Sequence, residues 1–375
     1  MISLWEKLSL IRKDIVIIGS GITGLSAAAY IKDHHPERKV TIIEQGLLPS
    51  GASTKNAGFA CFGSLSEIID DLITLSEKEV VELVSLRLDG LKILKNRLGE
   101  KLIDFQQNGG YELIGKNDVH YLEKIDYINE LLIPLFKTRC FNLADDKIND
   151  FGFDRQSVAH LVYTPFEGQI DTGKMINALL GYTRSRGVEI ITNATVHELI
   201  DDNDHVELSV NEQLKISANK VLVATNGFVS RLIPSVNINP ARGLVISTLP
   251  IEDLKFKGTF HMDRGYYYFR DFNKRLIFGG GRNLDFDTET TTEHGINQLI
   301  MDKLKELLDE VILPGITYEI DMTWTGIMGF GQNKSATLKR YSDNVTIGVG
   351  LGGMGVAIGS IIGEKLAILA LDENK

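Results

Sequence analysis

The sequence predicts an α/β protein in which a Rossmann-like nucleotide domain is interrupted by a discontinuous α+β domain built on an antiparallel sheet. Three observations predict it. A strand, glycine turn, helix and second strand follow one another between Asp14 and Glu44. Apolar strands of the same buried kind return at Ala218–Thr225 and at Asn344–Gly348. Between them, Asn239–Leu249, Thr259–Phe269 and Arg275–Gly281 alternate or run apolar, with turns at Pro250 and at Asn273-Lys274, the pattern of antiparallel strands. On this reading residues 1–65, 155–232 and 321–375 make the nucleotide domain, and 66–154 and 233–320 the second, substrate-facing domain.

The first unit carries the most information. Ile15–Ile18 is a continuous apolar run, as a parallel strand covered on both faces requires. Gly19, Gly21 and Gly24 form G-x-G-x-x-G where that strand turns into a helix. Val40–Ile43 is the next buried strand, and Glu44 ends it, twenty residues beyond Gly24. This order is the dinucleotide-binding fingerprint. One glycine permits the tight turn, one leaves room for a pyrophosphate, and one lets the helix lie close to the sheet. The helix N-terminus offers free N–H groups to the phosphates, and Glu44 can accept from a ribose diol.

Downstream, the run from Leu48 to Ser64 is dominated by small residues, which suits backbone pressed against a ligand. Ser66–Gly99 has helical periodicity, Tyr111–Ile114 reads as a short strand, Asp118–Leu135 as helical, and Asp145–Val162 as irregular. Asp171 or Thr172 caps a helix that runs to Gly187. Short strands follow at Val188–Ile191, Thr195–Ile200, His205–Val210 and Gln213–Ser217, then Ala218–Thr225. Thr292–Leu313 is helical and Ile316–Thr325 a strand. The chain ends in a strand, the glycine turn Gly350–Gly355 and a helix over Val356–Leu371.

Composition narrows the function classes. The net charge of −10, with no Lys/Arg run, argues against a nucleic-acid or anionic-membrane partner. Cys61 and Cys140 have no metal-ligand spacing, so neither a disulfide framework nor a metal site is expected, and a reduced cytoplasmic setting fits. The apolar C-terminal stretch carries Glu364 and Lys365, which a membrane span would rarely hold.

Several separated motifs occur in a fixed order: the N-terminal fingerprint, Gly51-Ala-Ser-Thr-Lys-Asn-Ala-Gly58, Ala224-Thr-Asn-Gly227, Gly279-Gly-Gly281 and Gly350–Gly359. Together they resemble the D-amino-acid oxidase superfamily of FAD-dependent oxidoreductases, in its glycine and sarcosine oxidase branch. The resemblance implies that Gly19, Gly21 and Gly24 hold the FAD pyrophosphate and Glu44 the adenosine ribose, with Ser20, Ile22, Thr23 and Gln45 beside them among the cofactor-binding residues. It assigns Ser53, Thr54, Lys55, Asn56, Ala57 and Gly58 to the loop passing the flavin, and Val196 to adenine. Ala224, Thr225 and Gly227 would cover the cofactor. Gly352, Gly353, Met354, Gly355 and Val356 would meet the flavin, with the following helix dipole aimed at its N1–C2=O edge. The sequence also departs from that branch. Ala357, Cys61 and Ile277 stand where sarcosine oxidases have, in turn, a carboxylate-binding lysine, a carboxylate-binding arginine and an oxygen-activating lysine. Trp324-Thr-Gly-Ile-Met328 lacks the usual arginine. No counterpart of a covalent flavin link is present, so the expected cofactor is non-covalent FAD.

The implied reaction is oxidation of the CH–NH bond of an amino acid or amine by hydride transfer to flavin N5, with oxygen or another electron acceptor. A dehydrogenase passing electrons to a quinone or protein, and a non-catalytic flavin-binding protein, are the alternatives. Alternation along Gly265-Tyr-Tyr-Tyr-Phe-Arg270 puts Tyr266 and Tyr268 on one face, which would line the substrate pocket. Arg282 is the first candidate for a substrate carboxylate and Arg242 the second, because a guanidinium fork suits that group.

Overall fold

The computed structural model describes residues 3–212, 214–332 and 335–371. Its first sheet has five parallel strands in the order Val345–Val349, Leu214–Val223, Arg12–Ile18, Val40–Ile43 and Glu189–Ile191. Thr337–Arg340 adds an antiparallel edge. Ile15, Val16 and Ile17 are fully buried at its centre, which explains the unbroken apolar run. Val196–Asp201 and Val206–Val210 form an antiparallel meander with Leu214–Val223. The two segments read separately at Gln213–Ser217 and Ala218–Thr225 therefore belong largely to one long strand; Gln213 lies outside the described residues.

Two helices bring their N-termini to the same end of this sheet. Ile22–His34 and Gly355–Ala370 pack against each other through small residues, with the Ser26 and Ser360 hydroxyls 3.4 Å apart. Neither has a side-chain cap. Their shared core with Leu25, Ile31, Ile362 and Leu366 continues under the sheet.

The second sheet runs Ile320–Phe330, Asn239–Thr248, Arg275–Gly280, Tyr267–Phe272, Thr259–Met262, Gly110–Gly115, Val158–Thr164 and Asn142–Leu143. All neighbours are antiparallel except Thr259–Met262 beside Gly110–Gly115, which sets His261 level with Glu112. Val158–Thr164 pairs with Gly110–Gly115, so part of the stretch read as irregular is a strand of this sheet. Phe256, Phe260, Phe269 and Phe278 fill the core behind it.

The helical stretch read across Ser66–Gly99 is two helices, Leu65–Thr74 and Glu77–Leu98. Each begins with a capping box, Ser64 with Glu67 and Ser76 with Glu79. These satisfy the first-turn N–H groups locally and so favour a fresh start over one continuous helix. Asp118–Leu135 likewise divides, into a 3₁₀ segment (Lys116–Lys124) and the helix Ile125–Phe136. Asp171 is the N-cap of Thr172–Ser185, accepting from the Lys174 N–H at 2.9 Å. Among the described residues, no helix is long and apolar enough to cross a membrane.

Candidate active site

The two uncapped helix N-termini open into one cleft with about 2230 Å³ of empty space, part of it open to solvent. One end is built by the N-terminal fingerprint. Gly19 sits at φ +104°, with the position of a Cβ only 2.8 Å from the Ala224 carbonyl. Only glycine fits both the backbone angle and that gap. At Gly24 a Cβ would lie 2.0 Å from the Gly19 carbonyl oxygen, so the helix starts directly on the turn. Gly19, Gly21, Ile22 and Thr23 line the cleft; Gly24 does not, and acts through this close approach.

Glu44 and Gln45 line the same end. Glu44 is buried, and its Oε2 accepts from the Ser20 N–H at 2.9 Å and the Ser20 hydroxyl at 2.7 Å, while its Oε1 accepts from the Gly46 N–H at 2.9 Å. Ser20 therefore faces Glu44 and not the cleft. It pins the carboxylate at the wall of the cleft. Val196 lines the cleft beside His197.

The small-residue loop forms one wall. Ser53, Lys55, Asn56 and Ala57 line the cleft; Thr54 turns back to the Pro49 and Gly51 carbonyls, and Gly58 lies behind the wall. The Ser53 hydroxyl accepts from the Ile22 N–H at 3.0 Å, joining loop to helix. Asn56 Oδ1 accepts from the Gly58 N–H and the Thr172 hydroxyl, both at 2.9 Å. Trp324 Nε1 donates to the Lys55 carbonyl at 2.9 Å. Opposite, Ala224 and Thr225 line the cleft and Gly227 packs against Met328. Asn226, which the sequence reading passed over, ties this strand end to the C-terminal glycine turn: its Oδ1 accepts from Gly350 and Leu351 N–H at 3.0 and 3.2 Å. Gly352, Gly353, Met354, Gly355 and Val356 all line the cleft.

These residues fit FAD on two structural grounds. The buried hydroxyls of Thr23 and Thr225 both border the cleft and have no hydrogen-bond partner among the described residues. Neither helix has a bond from its own N-cap side chain; the Ser53 hydroxyl takes the Ile22 N–H, and the other first-turn N–H groups are left as donors for a diphosphate and for an electron-rich ring edge.

The three tyrosines divide differently from the alternation argument. Tyr268 lines the cleft, and burial pushes its phenol up to about 12. Tyr267 is in the phenylalanine core. Tyr266 does not line the cleft. It belongs to the turn before the strand begins at Tyr267, where strict alternation does not apply, and it packs edge-on against Phe286. Arg282 also falls outside the lining. Its guanidinium is stacked between Phe286 and Phe330, at 4.7 and 4.6 Å from the ring centroids, and burial lowers its pKa. Arg242 is committed elsewhere: Nε and Nη2 each donate to the buried Glu289 carboxylate at 2.8 Å.

At the end of the cleft beyond Met354, Tyr268 from the sequence reading is joined by groups that no motif announced. Cys61, Glu67, His261 and Tyr268 line it, with the Cys61 Sγ 3.8 Å from the Met354 sulfur. His261 Nε2 lies 2.9 Å from Glu167 Oε2, which also accepts from the Thr259 hydroxyl at 2.9 Å. Cys61, Glu167 and His261 offer ligand atoms within 4.8 Å of one another, a metal-capable grouping invisible in their spacing along the chain. Burial pushes the His261 pKa down, but Glu167 above all, then Glu67 and Glu112, outweigh it and bring the value to about 9. Burial, with Glu167 and Glu67, drives the Cys61 thiol well above its ordinary value, so it stays protonated. The Ser64–Glu67 capping box was, beside the alternation that placed Tyr268, a local signal for this end.

The family model described as FAD dependent oxidoreductase (DAO) matches residues 14–369. A D-amino acid dehydrogenase of Helicobacter pylori (strain J99 / ATCC 700824) is 23% identical over 418 residues, spanning 96% of this chain and 95% of that protein. Among solved structures, glycine oxidase from Geobacillus kaustophilus superposes with TM-score 0.80 at 18% identity, covering 96% of this chain and 95% of that one. L-proline dehydrogenase from P. horikoshii gives TM-score 0.77 at 18% identity, covering 97% and 94%. With the fingerprint, the cleft and the matched span in agreement, this chain belongs to the DAO family of FAD-dependent oxidoreductases.

Proposed function

We propose that this oxidoreductase oxidises the CH–NH bond of an amine or amino acid to an imine, which water then hydrolyses to a carbonyl compound and a released amine. The observation that carries this reading is the continuity of the cleft. It joins the Gly19–Glu44 end, built for a diphosphate and a ribose, to a walled chamber at Phe59, Cys61, His261 and Tyr268. The names of the relatives, an amino acid dehydrogenase and a glycine oxidase, support the substrate class.

When bound, FAD supplies the two-electron sink for the oxidation. The chain's own residues do the rest. Gly21, Ser53 and the first turn of Ile22–His34 would hold the diphosphate, and Glu44 the ribose. The N-terminal dipole of Gly355–Ala370 would favour negative charge on a bound flavin. Tyr268 and Phe59 exclude water from the chamber and orient the substrate carbon. We propose a non-covalent cofactor, because the nearby Cys61 is a protonated, buried thiol packed on Met354.

A second reading of the acceptor is favoured by one position. Ile277, on the Arg275–Gly280 strand, provides no ammonium where the resemblance would put an oxygen-activating lysine. Electron transfer to a quinone or protein is therefore the preferred version. Reoxidation of the reduced holoenzyme by air and by a soluble quinone, followed side by side, separates the two. Faster reoxidation by the quinone supports a dehydrogenase; fast reoxidation by air alone makes it an oxidase.

A further inference from the structure

The charge at the chamber end is unusual for a site that would receive a carboxylate. His261 lies between two carboxylates, Glu167 Oε2 at 2.9 Å from Nε2 and Glu67 Oε2 at 3.9 Å from Nδ1, while Glu112, level with it on the neighbouring strand, is held by Ser64 and Ser66 and has its pKa raised by burial. The arginines near this end are spent. Arg270 donates to the Gly58 and Ile170 carbonyls at 3.0 and 2.8 Å. Arg87 donates to the Phe62 carbonyl at 2.7 Å and faces Asp71. Arg242 is held by Glu289, and Arg282 lies off the lining. Of the cleft's other basic residues, Lys55 stems from the wall at Gly326, and His197 and Arg231 belong to the Val196 end.

Glu67 is the carboxylate that meets the cleft. Its Oε2 accepts from the Ser64 N–H at 2.9 Å and lies 3.9 Å from His261 Nδ1, which fixes the side chain; its Oε1 has no hydrogen bond among the described residues. Behind it, Glu167 is fully buried and its Oε1 is also without a partner, within the same cluster that contains the cleft-lining Cys61 and His261. The adjoining walls are aromatic. Phe59 is edge-on to both His261 and Tyr268, at 5.3 and 5.6 Å between centroids. A pinned carboxylate beside aromatic rings, in a pocket with an excess of negative charge, is the chemistry that recognises an ammonium ion.

We infer that Glu67, with Phe59 and Tyr268, forms a subsite for a substrate ammonium group, so that the preferred substrate carries a second cationic nitrogen besides the one oxidised. This rests on the amine-oxidising reading above and narrows it. The nitrogen next to the carbon that is oxidised must present its lone pair, and an ammonium has none. A nitrogen kept charged by Glu67 is therefore a different atom of the same molecule, as in a diamine or a basic amino acid.

The test uses the flavin-loaded protein without air and two matched pairs: putrescine against butylamine, and lysine against norleucine. Affinity is read by calorimetry and flavin reduction by loss of colour. The expected result is that the dicationic member of at least one pair binds about tenfold tighter or more, and that Glu67→Gln shrinks this ratio. Because Glu67 also caps a helix, Glu67→Asp and the wild-type ratio in high salt are read beside it; a wild-type preference that weakens with salt supports the subsite without any variant. Equal affinity within both pairs, or tighter binding of norleucine and butylamine, overturns the inference while leaving amine oxidation intact. Tight putrescine binding with no bleaching by any amine supports the subsite and removes the proposed reaction.

Discussion

His261 Nε2 and Glu167 Oε2 are 2.9 Å apart in a pair that is almost completely buried, and they come from segments 94 residues apart in the chain. The imidazolium is charged in the folded protein up to about pH 9, against an ordinary value of 6.5. A raised value means that the pair's contribution to stability is complete below about pH 6.5 and is lost as pH rises through about 9. Thermal midpoints of the wild type should fall across that window. Glu167→Gln should flatten the fall and lower the midpoint at neutral pH. A wild-type midpoint independent of pH across this range would contradict the assignment.

Gly24 is expected to tolerate no side chain. A Cβ there meets the Gly19 carbonyl at 2.0 Å, so Gly24→Ala must push the helix off the strand. The expected cost is about 1–3 kcal/mol or more. The same shift should release bound flavin, measured as the ratio of flavin to protein absorbance after gel filtration.

Glu44→Ala removes the acceptor proposed for the ribose and leaves the Ser20 and Gly46 N–H groups without their partner. Flavin affinity should weaken by about tenfold or more. Fluorescence titration of the flavin-free protein with FAD gives the number. The loss should be much smaller for FMN, which has no adenosine ribose to hold.

Arg242→Met separates a structural arginine from a substrate ligand. The guanidinium satisfies a nearly fully buried Glu289, so removing it should destabilise the fold by about 3–5 kcal/mol. Pairing it with Glu289→Leu should recover most of that. The double variant should retain flavin and the substrate preference of the wild type.

The nucleotide end was legible because its parts are contiguous. Ile15–Ile18, the glycine turn and Glu44 lie within one strand–helix–strand unit, and local geometry ties each residue type to its task. The chamber was not legible in the same way. His261 meets Glu112 only through the parallel pairing of Thr259–Met262 with Gly110–Gly115, and Glu167 arrives from another loop. Arg242 looked available until Glu289, 47 residues later, was found against it. Tyr266 was misplaced because alternation was carried one residue past the strand start at Tyr267, into a turn where Asp263 and Arg264 have positive φ. Ser64 and Glu67 did carry a signal, the S-x-x-E spacing of a capping box. It fixes both the start of Leu65–Thr74 and the carboxylate at the cleft.

The central claim is that the Gly19–Glu44 end and the Gly352–Val356 turn grip a single FAD without a covalent bond. The direct measurement is flavin analysis of the purified chain, reconstituted with FAD and then denatured. The account predicts a yellow protein that gives up one equivalent of FAD to the protein-free supernatant. A colourless chain that refuses added FAD, or flavin that stays with the precipitated polypeptide, would contradict it.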